Sequence, residues 1–392
     1  MAANPIPENP TRIAGLISGT SADGVDVAIV DFDPRPAVVA FATAEYDPVL
    51  RRRVRALFNP ETSSVDEICR MHFILGEVFA DALVQTCSRS GIQLSSVDAI
   101  GSHGQTIQHL PYGCEWAGRT IRSTLQIAAP AVIAERTGCC VVSDFRAADI
   151  AAGGSGAPLV ALVDHELLAD PRTSRVVQNI GGIANLTWLP AGAEVEDVLA
   201  FDTGPGNLLL DALVRRLTGG RENFDRDGRL ALAGRIDQSM VADWAKHPYF
   251  DRKPPKSTGP EEFAGHWVDD LVHRATDRGL AGADLLATAT AFVAESIAQA
   301  YRRYLPADVD EVLLCGGGAA NPALVDQLRL RLPAGRVENL SSVGIDPDAK
   351  EALSFAILAR RTLLGLAGNV PGATGAGRAV VLGSITPGRA AR

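Results

Sequence analysis

Three glycine-rich turns each follow an apolar stretch that predicts a β-strand. They span residues 19–26, 202–207 and 316–318, and the first two combine glycine with hydroxyl or carboxylate side chains. Backbone N–H groups and hydroxyls in such turns bind anions, so the turns predict a polyphosphate site that needs no lysine. Glycine also serves a tight hairpin without any ligand. Three such turns in one chain favour the ligand.

The carboxylates in these turns are candidates for metal binding and proton transfer. Asp23 and Asp26 in the first turn offer the oxygen ligands that Mg²⁺ prefers, directly or through water. Asp202 stands at the end of a predicted strand and just before a predicted helix, which suits a catalytic base. The alternative for Asp202 is an Asx turn that caps its own loop.

Polar side chains also follow two further predicted strands. His103 and Gln105 follow the first of these strands, where they either terminate it or contact a ligand. Asp144 and Arg146 follow the second, and they form either an internal salt bridge or part of a binding site. The residues themselves leave both alternatives open.

The commonest nucleotide-binding motifs are excluded. Only four lysines occur, at positions 246, 253, 256 and 350, and none follows a glycine, so the chain has no Walker A loop. No GxG carries the third glycine of the Rossmann fingerprint. Lys253 and Lys256 are interpreted as a solvated face, although the prolines between them also suit a stiff loop that reaches a ligand.

Composition narrows the class of protein. The 392 residues include 37 basic and 46 acidic side chains, a net charge of −9, so nucleic acid is not expected as the partner. The polar first 12 residues do not resemble a secretory signal, and no stretch reaches the roughly 18 apolar residues of a membrane span. We expect a cytoplasmic enzyme whose six cysteines are reduced.

Two hairpins of the same kind organise the chain. The first joins strands at 13–17 and 25–30, and the second joins strands at 175–180 and 183–189 through Gly181-Gly182. Further strands are predicted at 97–101, 139–143, 199–201 and 309–314. Helices are predicted at 66–88, 130–137, 208–217, 285–304, 322–332 and 348–366.

This alternation of strands and helices predicts two α/β domains of related design. We expect one lobe to comprise residues 11–130 with 351–392, and the other to comprise residues 131–350. The polar, proline-containing stretch 221–260 is predicted to be an excursion over the mouth of the active site.

Short motifs in a fixed order give the chain a family resemblance. They are GLISGTSADGVD (15–26), HGQT (103–106), LQI (125–127), VSDFR (142–146), AGG (152–154), GAPL (156–159), NIGGIAN (179–185), FDTGPGN (201–207), DRKPPKSTG (251–259), GGG (316–318) and EALSF (351–355). With them the chain closely resembles the anhydro-N-acetylmuramic acid kinases of bacterial cell-wall recycling. The resemblance implies the actin, hexokinase and heat-shock ATPase superfamily, with two related ribonuclease-H-like lobes and the nucleotide in the cleft between them.

The resemblance also implies a reaction. ATP phosphorylates O6 of 1,6-anhydro-N-acetylmuramic acid while water opens the anhydro bridge at C1, giving N-acetylmuramic acid 6-phosphate and ADP. Asp202 is implied as the base that takes a proton from the water, and Glu351 as a support for the water or the sugar. The runner-up within this fold is a kinase for another anhydrosugar such as levoglucosan. A nucleotide-driven conformational module is the alternative from a different class.

The resemblance assigns the remaining site residues in groups. The groups implied to bind ATP are Gly19, Thr20, Ser21, Asp23, Gly24 and Asp26 in the first turn, Gly204, Gly206 and Asn207 in the second, and Gly316, Gly317 and Gly318 beside the adenosine. Those implied to face the sugar are His103, Thr106, Asp144 and Arg146, with the arginine on the lactyl carboxylate. Mg²⁺ is expected on the phosphates with Asp23 and Asp26 as further ligands, and a homodimer is one option for the assembly.

Two residues depart from the family pattern. Ser155 stands where the family usually has glutamine, and Ala161 stands where it usually has proline. Both belong to the segment 153–161, which the resemblance associates with the sugar. The exact anhydrosugar is therefore left open, whereas the phosphate-binding motifs are unaffected.

Overall fold

A computed structural model describes residues 6–306 and 308–389 and divides the chain into two compact units. The first unit runs to Val163 and resumes at Asp348, and the second is Asp164–Pro347. The boundary expected near residue 130 lies at 163 instead. The reason is that the strand Cys140–Ser143 pairs in parallel with the strand Ala99–Trp116 of the first sheet, which keeps the intervening residues in the first unit.

Twelve strands and fourteen α-helices make up the described chain, with short 3₁₀ turns between them. The strands are β1 (Arg12–Ser18), β2 (Gly24–Asp31), β3 (Ala37–Glu45), β4 (Ala99–Trp116), β5 (Arg119–Ile127), β6 (Cys140–Ser143), β7 (Arg175–Ile180), β8 (Ile183–Leu189), β9 (Leu199–Pro205), β10 (Val309–Cys315), β11 (Ala334–Asn339) and β12 (Ser384–Thr386). The helices are α1 (Pro48–Ala56), α2 (Val65–Ser90), α3 (Pro130–Thr137), α4 (Phe145–Ala151), α5 (Val160–Leu168), α6 (Asn207–Leu217), α7 (Arg229–Leu232), α8 (Gln238–Trp244), α9 (Pro260–Phe263), α10 (His266–Asp277), α11 (Gly282–Tyr304), α12 (Pro322–Arg331), α13 (Lys350–Leu363) and α14 (Pro371–Thr374).

Local signals fix the ends of the long helices. Ser64 begins α2 because its hydroxyl accepts a hydrogen bond from the Glu67 N–H, and Gly91 ends it in the left-handed conformation, with φ of 67°. Asn321 caps α12 in the same way, through the Leu324 N–H. None of the helices in the described ranges is both long and apolar enough to cross a membrane.

The sheet of the first unit is built around the first hairpin. Its order is β12-β6-β4-β1-β2-β3, with β5 paired to β4. The strand β1 is antiparallel to β2 and parallel to β4, and its register places Ser18 opposite Gln105. The strand predicted at 97–101 ended too early, because β4 continues through residues 103–106 with an irregularity at Gly104. The hairpin turn therefore lies beside the HGQT motif.

The sheet of the second unit repeats this arrangement. Its order is β11-β10-β7-β8-β9, with β7 antiparallel to β8 and parallel to β10. Counted from the hairpin, both sheets follow the strand order 3-2-1-4-5, which is ribonuclease-H-like. This repeat confirms the prediction of two related α/β lobes. The register pairs Asn179 with Cys315, so the Gly181-Gly182 turn lies beside the loop that begins at Gly316.

The helix α13 packs against the first sheet where two strands carry glycine. A Cβ atom at Gly15 would lie 1.8 Å from the carbonyl oxygen of Ala352, and one at Gly101 would lie 2.1 Å from that of Phe355. Only glycine permits this approach of helix to sheet, because any side chain would overlap the helix backbone. The contact positions the first turn of α13, which carries Glu351.

Most of the stretch 221–260 is not the excursion that the sequence predicted, and only its last part, which contacts Asp202, is consistent with that prediction. It contains α7 and α8, and much of it packs into the core of the second unit against α11. Met240, Trp244, Tyr249 and Phe250 are all buried there, and Trp244 and Phe250 contact Phe292 of α11 edge to face. The many charges between these apolar residues concealed their contribution to the core.

Replacement of Gly101 by alanine tests the approach of α13 to the sheet. Because the new methyl group would overlap backbone, we expect Gly101→Ala to lower the free energy of unfolding by about 3 kcal/mol, measured by urea denaturation. Gly377→Ala is the matched control, since its Cβ would come no closer than 3.4 Å to the Ala152 carbonyl oxygen and the residue is exposed. Equal stability of the two variants would contradict this packing.

Candidate functional site

The β1–β2 turn of the first unit is fixed by a buried glutamine. Ser18 Oγ donates to Gln105 Oε1 at 2.7 Å, and Gln105 Nε2 donates to the Gly19 carbonyl oxygen at 3.1 Å. Gln105 is fully buried, so these bonds are shielded from water. Sequence reasoning left open whether Gln105 terminates its strand or contacts a ligand, and the parallel register between β1 and β4 makes it the residue that shapes the predicted phosphate turn.

The glycines of the three predicted turns fall into two classes. Five are required by the chain itself, because a Cβ atom would come within 2.8 Å of a neighbouring atom: Gly24, Gly204, Gly206, Gly316 and Gly318. At Gly19 no heavy atom lies within 4 Å of the Cβ position, and at Gly317 only Asn207 Nδ2 does, at 3.4 Å. Neither has a positive φ. Nothing in the fold requires glycine at these two positions, which leaves open space over each turn.

The turn of the second hairpin contains two more glycines that the fold does not require, Gly181 and Gly182. The N–H groups of Gly206, Asn207 and Leu208 donate to the Gly181 and Gly182 carbonyl oxygens at 2.8–3.0 Å, so these amides, two of them assigned to phosphate, are already bonded. In a trans peptide the N–H points away from the C=O, so the amides of Gly182 and Ile183 point away from α6. A Cβ at Gly181 or Gly182 would meet nothing closer than 3.4 Å.

Gly181 and Gly182 were missing from the predicted site. They occupy the turn of the second hairpin as Gly19 does that of the first. The signal that could have found them was the repeat of the hairpin: the turn of the first hairpin was assigned to phosphate, and the turn of the second is its counterpart. The assignment of Gly206 and Asn207 to phosphate stays a prediction, although their amides already donate to this turn.

The two carboxylates of the first turn have different surroundings. Asp23 is paired with Arg51 and lies 3.6 Å from Arg55, both on α1, and Arg55 also donates to the Ser21 carbonyl oxygen at 2.9 Å. This ion pair competes with metal binding, and Asp23 as a metal ligand stays a prediction. Asp26 accepts a hydrogen bond from Thr43 at 2.6 Å, and burial raises its pKa. Within the described ranges no group of three metal-ligating side chains is assembled.

The buried His103 and the half-buried Arg146 form a pair beside this turn. His103 Nδ1 lies 3.1 Å from the Gly104 carbonyl oxygen, and Arg146 Nε donates to His103 Nε2 at 3.0 Å. A carbonyl only accepts and a guanidinium only donates, so the imidazole is neutral with its proton on Nδ1. Burial lowers the pKa of His103 well below its ordinary value, and the Arg146 charge adds to this. His103 therefore orients Arg146, and its one acceptor nitrogen is occupied by the guanidinium.

Arg146 remains a cation with unused donors. Nη1 donates to the Gly156 carbonyl oxygen at 2.6 Å, and the structure describes no acceptor for Nη2. Burial lowers the pKa of Arg146 to about 10, while Glu351 and Asp149 oppose this. The internal salt bridge considered for Asp144 and Arg146 is not formed between the described side chains. Asp144 instead is an exposed residue with φ of 56°, before the first residue of α4.

Thr106 and Glu351 complete the predicted residues of the first unit. Thr106 Oγ1 accepts a hydrogen bond from Gln126 Nε2 at 3.1 Å, which ties β4 to β5. The Glu351 side chain reaches solvent, yet partial desolvation raises its pKa, and the Asp26 carboxylate does so as well. The Arg146 charge opposes the rise. Asp26 and Arg146 are thus close enough to Glu351 to influence its ionisation.

Asp202, in the second unit, is held by its backbone and by one carboxylate oxygen. Its N–H donates to the Lys256 carbonyl oxygen at 3.1 Å, and its own carbonyl accepts from the Tyr249 hydroxyl at 2.7 Å. Oδ2 accepts from the Thr258 N–H at 2.9 Å, whereas Oδ1 has no hydrogen-bond partner among the described residues. Asp202 does not cap its own loop, which removes the alternative of an Asx turn.

The surroundings of Asp202 favour its protonated form. Burial raises its pKa to about 7, and Glu261 adds to the rise, whereas the Thr258 N–H and the Lys256 charge oppose it. A carboxylate whose pKa lies near neutrality can accept a proton and release it again. One free oxygen and this pKa give Asp202 the properties of a general base.

Lys253 is exposed on the surface, as interpreted from the sequence, but Lys256 is not. The Lys256 ammonium lies 4.6 Å from the Tyr249 ring centre, 4.7 Å from that of Tyr304 and 5.8 Å from that of Phe201. The interpretation of Lys256 as part of a solvated face is wrong. The three rings form an aromatic cage around the ammonium. They lie far apart in the sequence, so no local pattern predicts this cage.

Comparison with known proteins identifies the family of this chain. A model of the anhydro-N-acetylmuramic acid kinase family matches residues 11–388. The chain belongs to that family. The anhydro-N-acetylmuramic acid kinase of Caldanaerobacter subterraneus is 45% identical over 381 residues, which cover 95% of this chain and 96% of its own length. That of Gloeobacter violaceus is 45% identical over 384 residues, which cover 97% and 99%.

Membership in the anhydro-N-acetylmuramic acid kinase family makes the chain an enzyme, a sugar kinase that uses ATP. Among solved structures, a ROK hexokinase from Thermus thermophilus is similar over 88% of this chain and 97% of its own, with 14% identity and a TM-score of 0.39. This distant similarity adds nothing to the strand order described above.

The segment in which the chain departs from the anhydro-N-acetylmuramic acid kinase pattern is anchored by a buried carboxylate. Asp149 is fully buried and accepts hydrogen bonds from the Gly156 N–H at 2.8 Å, Asn369 Nδ2 at 2.6 Å and Thr374 Oγ1 at 2.7 Å. Ser155 Oγ donates to the Ala157 carbonyl oxygen at 2.6 Å and lies 3.0 Å from that of Thr374. The Ser155 hydroxyl therefore serves the loop backbone.

Asp202→Asn tests the cost of holding a carboxylate in these surroundings. An unfolded aspartate has a pKa of about 3.8, so the ionised form destabilises the folded state as pH rises from about 4, and the penalty is complete above about pH 7. Asparagine carries no such penalty and can still accept from Thr258. We expect the melting temperature of Asp202→Asn to exceed that of the wild type at pH 8 and to exceed it by a clearly smaller margin at pH 5. A lower value at both pH values would contradict this.

Proposed function

We propose that the protein converts 1,6-anhydro-N-acetylmuramic acid, ATP and water to N-acetylmuramic acid 6-phosphate and ADP. The water oxygen bonds to C1 as the bond from C1 to O6 breaks, and O6 bonds to the γ-phosphorus while ADP departs. The proposal rests on one observation above all, a carboxylate at the end of β9 that has one fixed oxygen, one free oxygen and a pKa near neutrality. Family membership supports the choice of sugar.

In this proposal Asp202 takes the proton of the attacking water. Thr258 holds Oδ2, and the free Oδ1 is the oxygen that accepts a hydrogen bond from the water. As the proton moves to Asp202, negative charge develops on O6, and an in-line phosphoryl group captures it. Bond breaking and phosphoryl transfer occur in one site. The strained bicyclic sugar is therefore opened, and its O6 is captured by the phosphoryl group, in the same event.

The residues of the first unit are suited to holding the sugar. The outer guanidinium nitrogen of Arg146 matches a carboxylate such as the lactyl group of the substrate, and His103 fixes its plane. Thr106 lies on β4 and Asp144 lies directly before α4, and both offer polar contacts to sugar hydroxyls. Glu351, with its raised pKa, can share a proton with the sugar or the water.

The open glycine turns are suited to the phosphates of ATP. Gly19, Gly181, Gly182 and Gly317 leave space where a side chain would fit, and outward amides at the second hairpin supply donors. Asp26 fits a metal-bound triphosphate, because its carboxylate is partly buried and has a single described partner, Thr43. With Asp23 paired to Arg51, Asp26 is the ligand we propose for Mg²⁺, which supplies charge neutralisation on the phosphates when bound.

A coupled assay of ADP release tests the reaction and the base together. We expect 1,6-anhydro-N-acetylmuramic acid to stimulate ADP release, and Asp202→Asn to lower kcat by about 10²- to 10⁴-fold. In the wild type kcat should fall as pH drops through about 7, because protonated Asp202 cannot accept the proton. Sugar-independent ADP release would contradict the reaction, and wild-type kcat in Asp202→Asn would contradict the base. Better than tenfold preference for levoglucosan would change the substrate.

Gly19→Ala and Gly181→Ala test the phosphate turns. Neither methyl group has a close neighbour in the fold, so we expect unchanged or slightly increased thermal stability. Overlap with a bound phosphate should raise the KM for ATP by about tenfold or more and leave the KM for the sugar unchanged. Steady-state kinetics measure both constants, with Gly377→Ala as the control. An unchanged KM for ATP would place the phosphates elsewhere.

Two further expectations from the sequence stay predictions. They are the cytoplasmic location and the homodimer. Fractionation of cells and light scattering of the purified protein would test them.

A further inference from the structure

A strap of residues 248–258 lies against the end of β9 and is fixed at both ends. Near its start, the Tyr304 hydroxyl of α11 donates to the Phe250 carbonyl oxygen at 2.6 Å. Further along, Arg252 binds Glu262 through two hydrogen bonds of 2.9 and 2.6 Å, and Thr258 Oγ1 donates to the same carboxylate at 3.1 Å. The strap is therefore attached to α11 on one side and to α9 and its flanking residues on the other.

Lys256 occupies the middle of the strap with no carboxylate partner. Its ammonium donates to the Tyr249 carbonyl oxygen at 3.3 Å and sits among the rings of Tyr249, Tyr304 and Phe201. In the described part of the chain no carboxylate oxygen lies within 4 Å of this nitrogen. Desolvating a cation is costly, and three aromatic faces return part of the cost as cation–π attraction.

All three hydrogen bonds described for Asp202 end on this strap. Its N–H contacts Lys256, its carbonyl contacts Tyr249 and its Oδ2 contacts Thr258, at 3.1, 2.7 and 2.9 Å. Two of these partners belong to the aromatic cage: Tyr249 is one of its three rings, and Lys256 is the cation inside it. A second ring, Phe201, directly precedes Asp202 on β9. The cage and the carboxylate are therefore one connected arrangement.

We propose that Lys256 is a positioning residue for Asp202: its caged ammonium holds the strap on β9, so that one carboxylate oxygen is fixed and the other faces the water. This rests on the proposed function, in which Asp202 is the base. Lys256 does not touch the reacting atoms in this arrangement. It acts through the strap backbone and through its charge.

The charge of Lys256 also opposes the groups that disfavour ionised Asp202. Burial and the Glu261 carboxylate raise the pKa of Asp202, while the Lys256 charge and the Thr258 N–H lower it. Burial and the charges of Arg303 and Arg252 lower the pKa of Lys256 to about 8, against Asp251 and Asp202. Without the ammonium, only the Thr258 N–H would oppose the effect of burial and of Glu261 on the pKa of Asp202. The pKa of Asp202 should then rise further.

The test compares Lys256→Met with Lys256→Arg and with Lys253→Met. Methionine fills the cage without charge, arginine keeps the charge, and Lys253 is the exposed lysine on the same strap. We expect Lys256→Met to lower kcat by about tenfold or more, since a small misplacement of a catalytic group can cost about 10²-fold. The acid limb of its pH profile should move to higher pH, with the KM for ATP unchanged. Lys256→Arg should retain more of kcat, and Lys253→Met should match the wild type.

Each outcome decides the proposal. Wild-type kcat and acid limb in Lys256→Met would overturn it. So would a lower melting temperature with an unchanged acid limb, because that pattern belongs to packing alone. Should Lys256→Met fail to fold, Lys256→Gln, whose amide can still donate to Tyr249, replaces it in the same comparison. If Asp202→Asn retains activity, the proposed function fails; if only the Lys256 variants behave as the wild type, this inference fails alone.

Discussion

Parallel pairing beside a hairpin is the constraint on which the candidate site depends. In the first unit β1 lies parallel to β4, so the hairpin turn after Ser18 meets the strand residues around Gln105. In the second unit β7 lies parallel to β10, so the turn after Ile180 meets the loop that starts at Gly316. Strands that run in the same direction end at the same edge of the sheet. Residues about 85 and 135 positions apart in the chain are thereby brought together.

The same constraint explains what the sequence could predict. Apolar alternation around a short glycine turn identified both hairpins, and helical spacing identified α2, α6 and α11 to within a few residues. Motif order identified the family, which the match over residues 11–388 confirms. Each hairpin, each helix and each single motif is a local signal that is complete within a few dozen residues of the chain.

Contacts between distant residues were beyond such signals. Whether a glycine is required by the fold or leaves space above a turn depends on atoms elsewhere, as at Gly206 beside Gly181 and at Gly19 beside nothing. Lys256 looked like a surface lysine because its cage comes from Phe201, Tyr249 and Tyr304. The domain boundary moved for a similar reason, since the pairing of β6 with β4 is not visible in the sequence.

Burial shifts the pKa values of His103 and Asp202 in opposite directions, and in both units it favours the neutral form of the group. Burial keeps His103 neutral beside a charged Arg146, and it brings Asp202 toward neutrality with a lysine nearby. Each acid or base is thus paired with a cation that stays charged at neutral pH. Such arrangements cost folding stability, and they persist where the surrounding structure fixes them, here through Gly104 and Thr258.

The carboxylate of Asp149 gives the final segment of the chain an unexpected importance. Asn369 and Thr374, both beyond the last long helix, bind the same buried side chain as the Gly156 amide. What looks in the sequence like a trailing end therefore forms one wall of the loop 153–156. A premature stop after Leu363 would remove both of these partners and leave the Gly156 N–H as the one remaining described hydrogen bond to the Asp149 carboxylate, so the loop would lose part of its support.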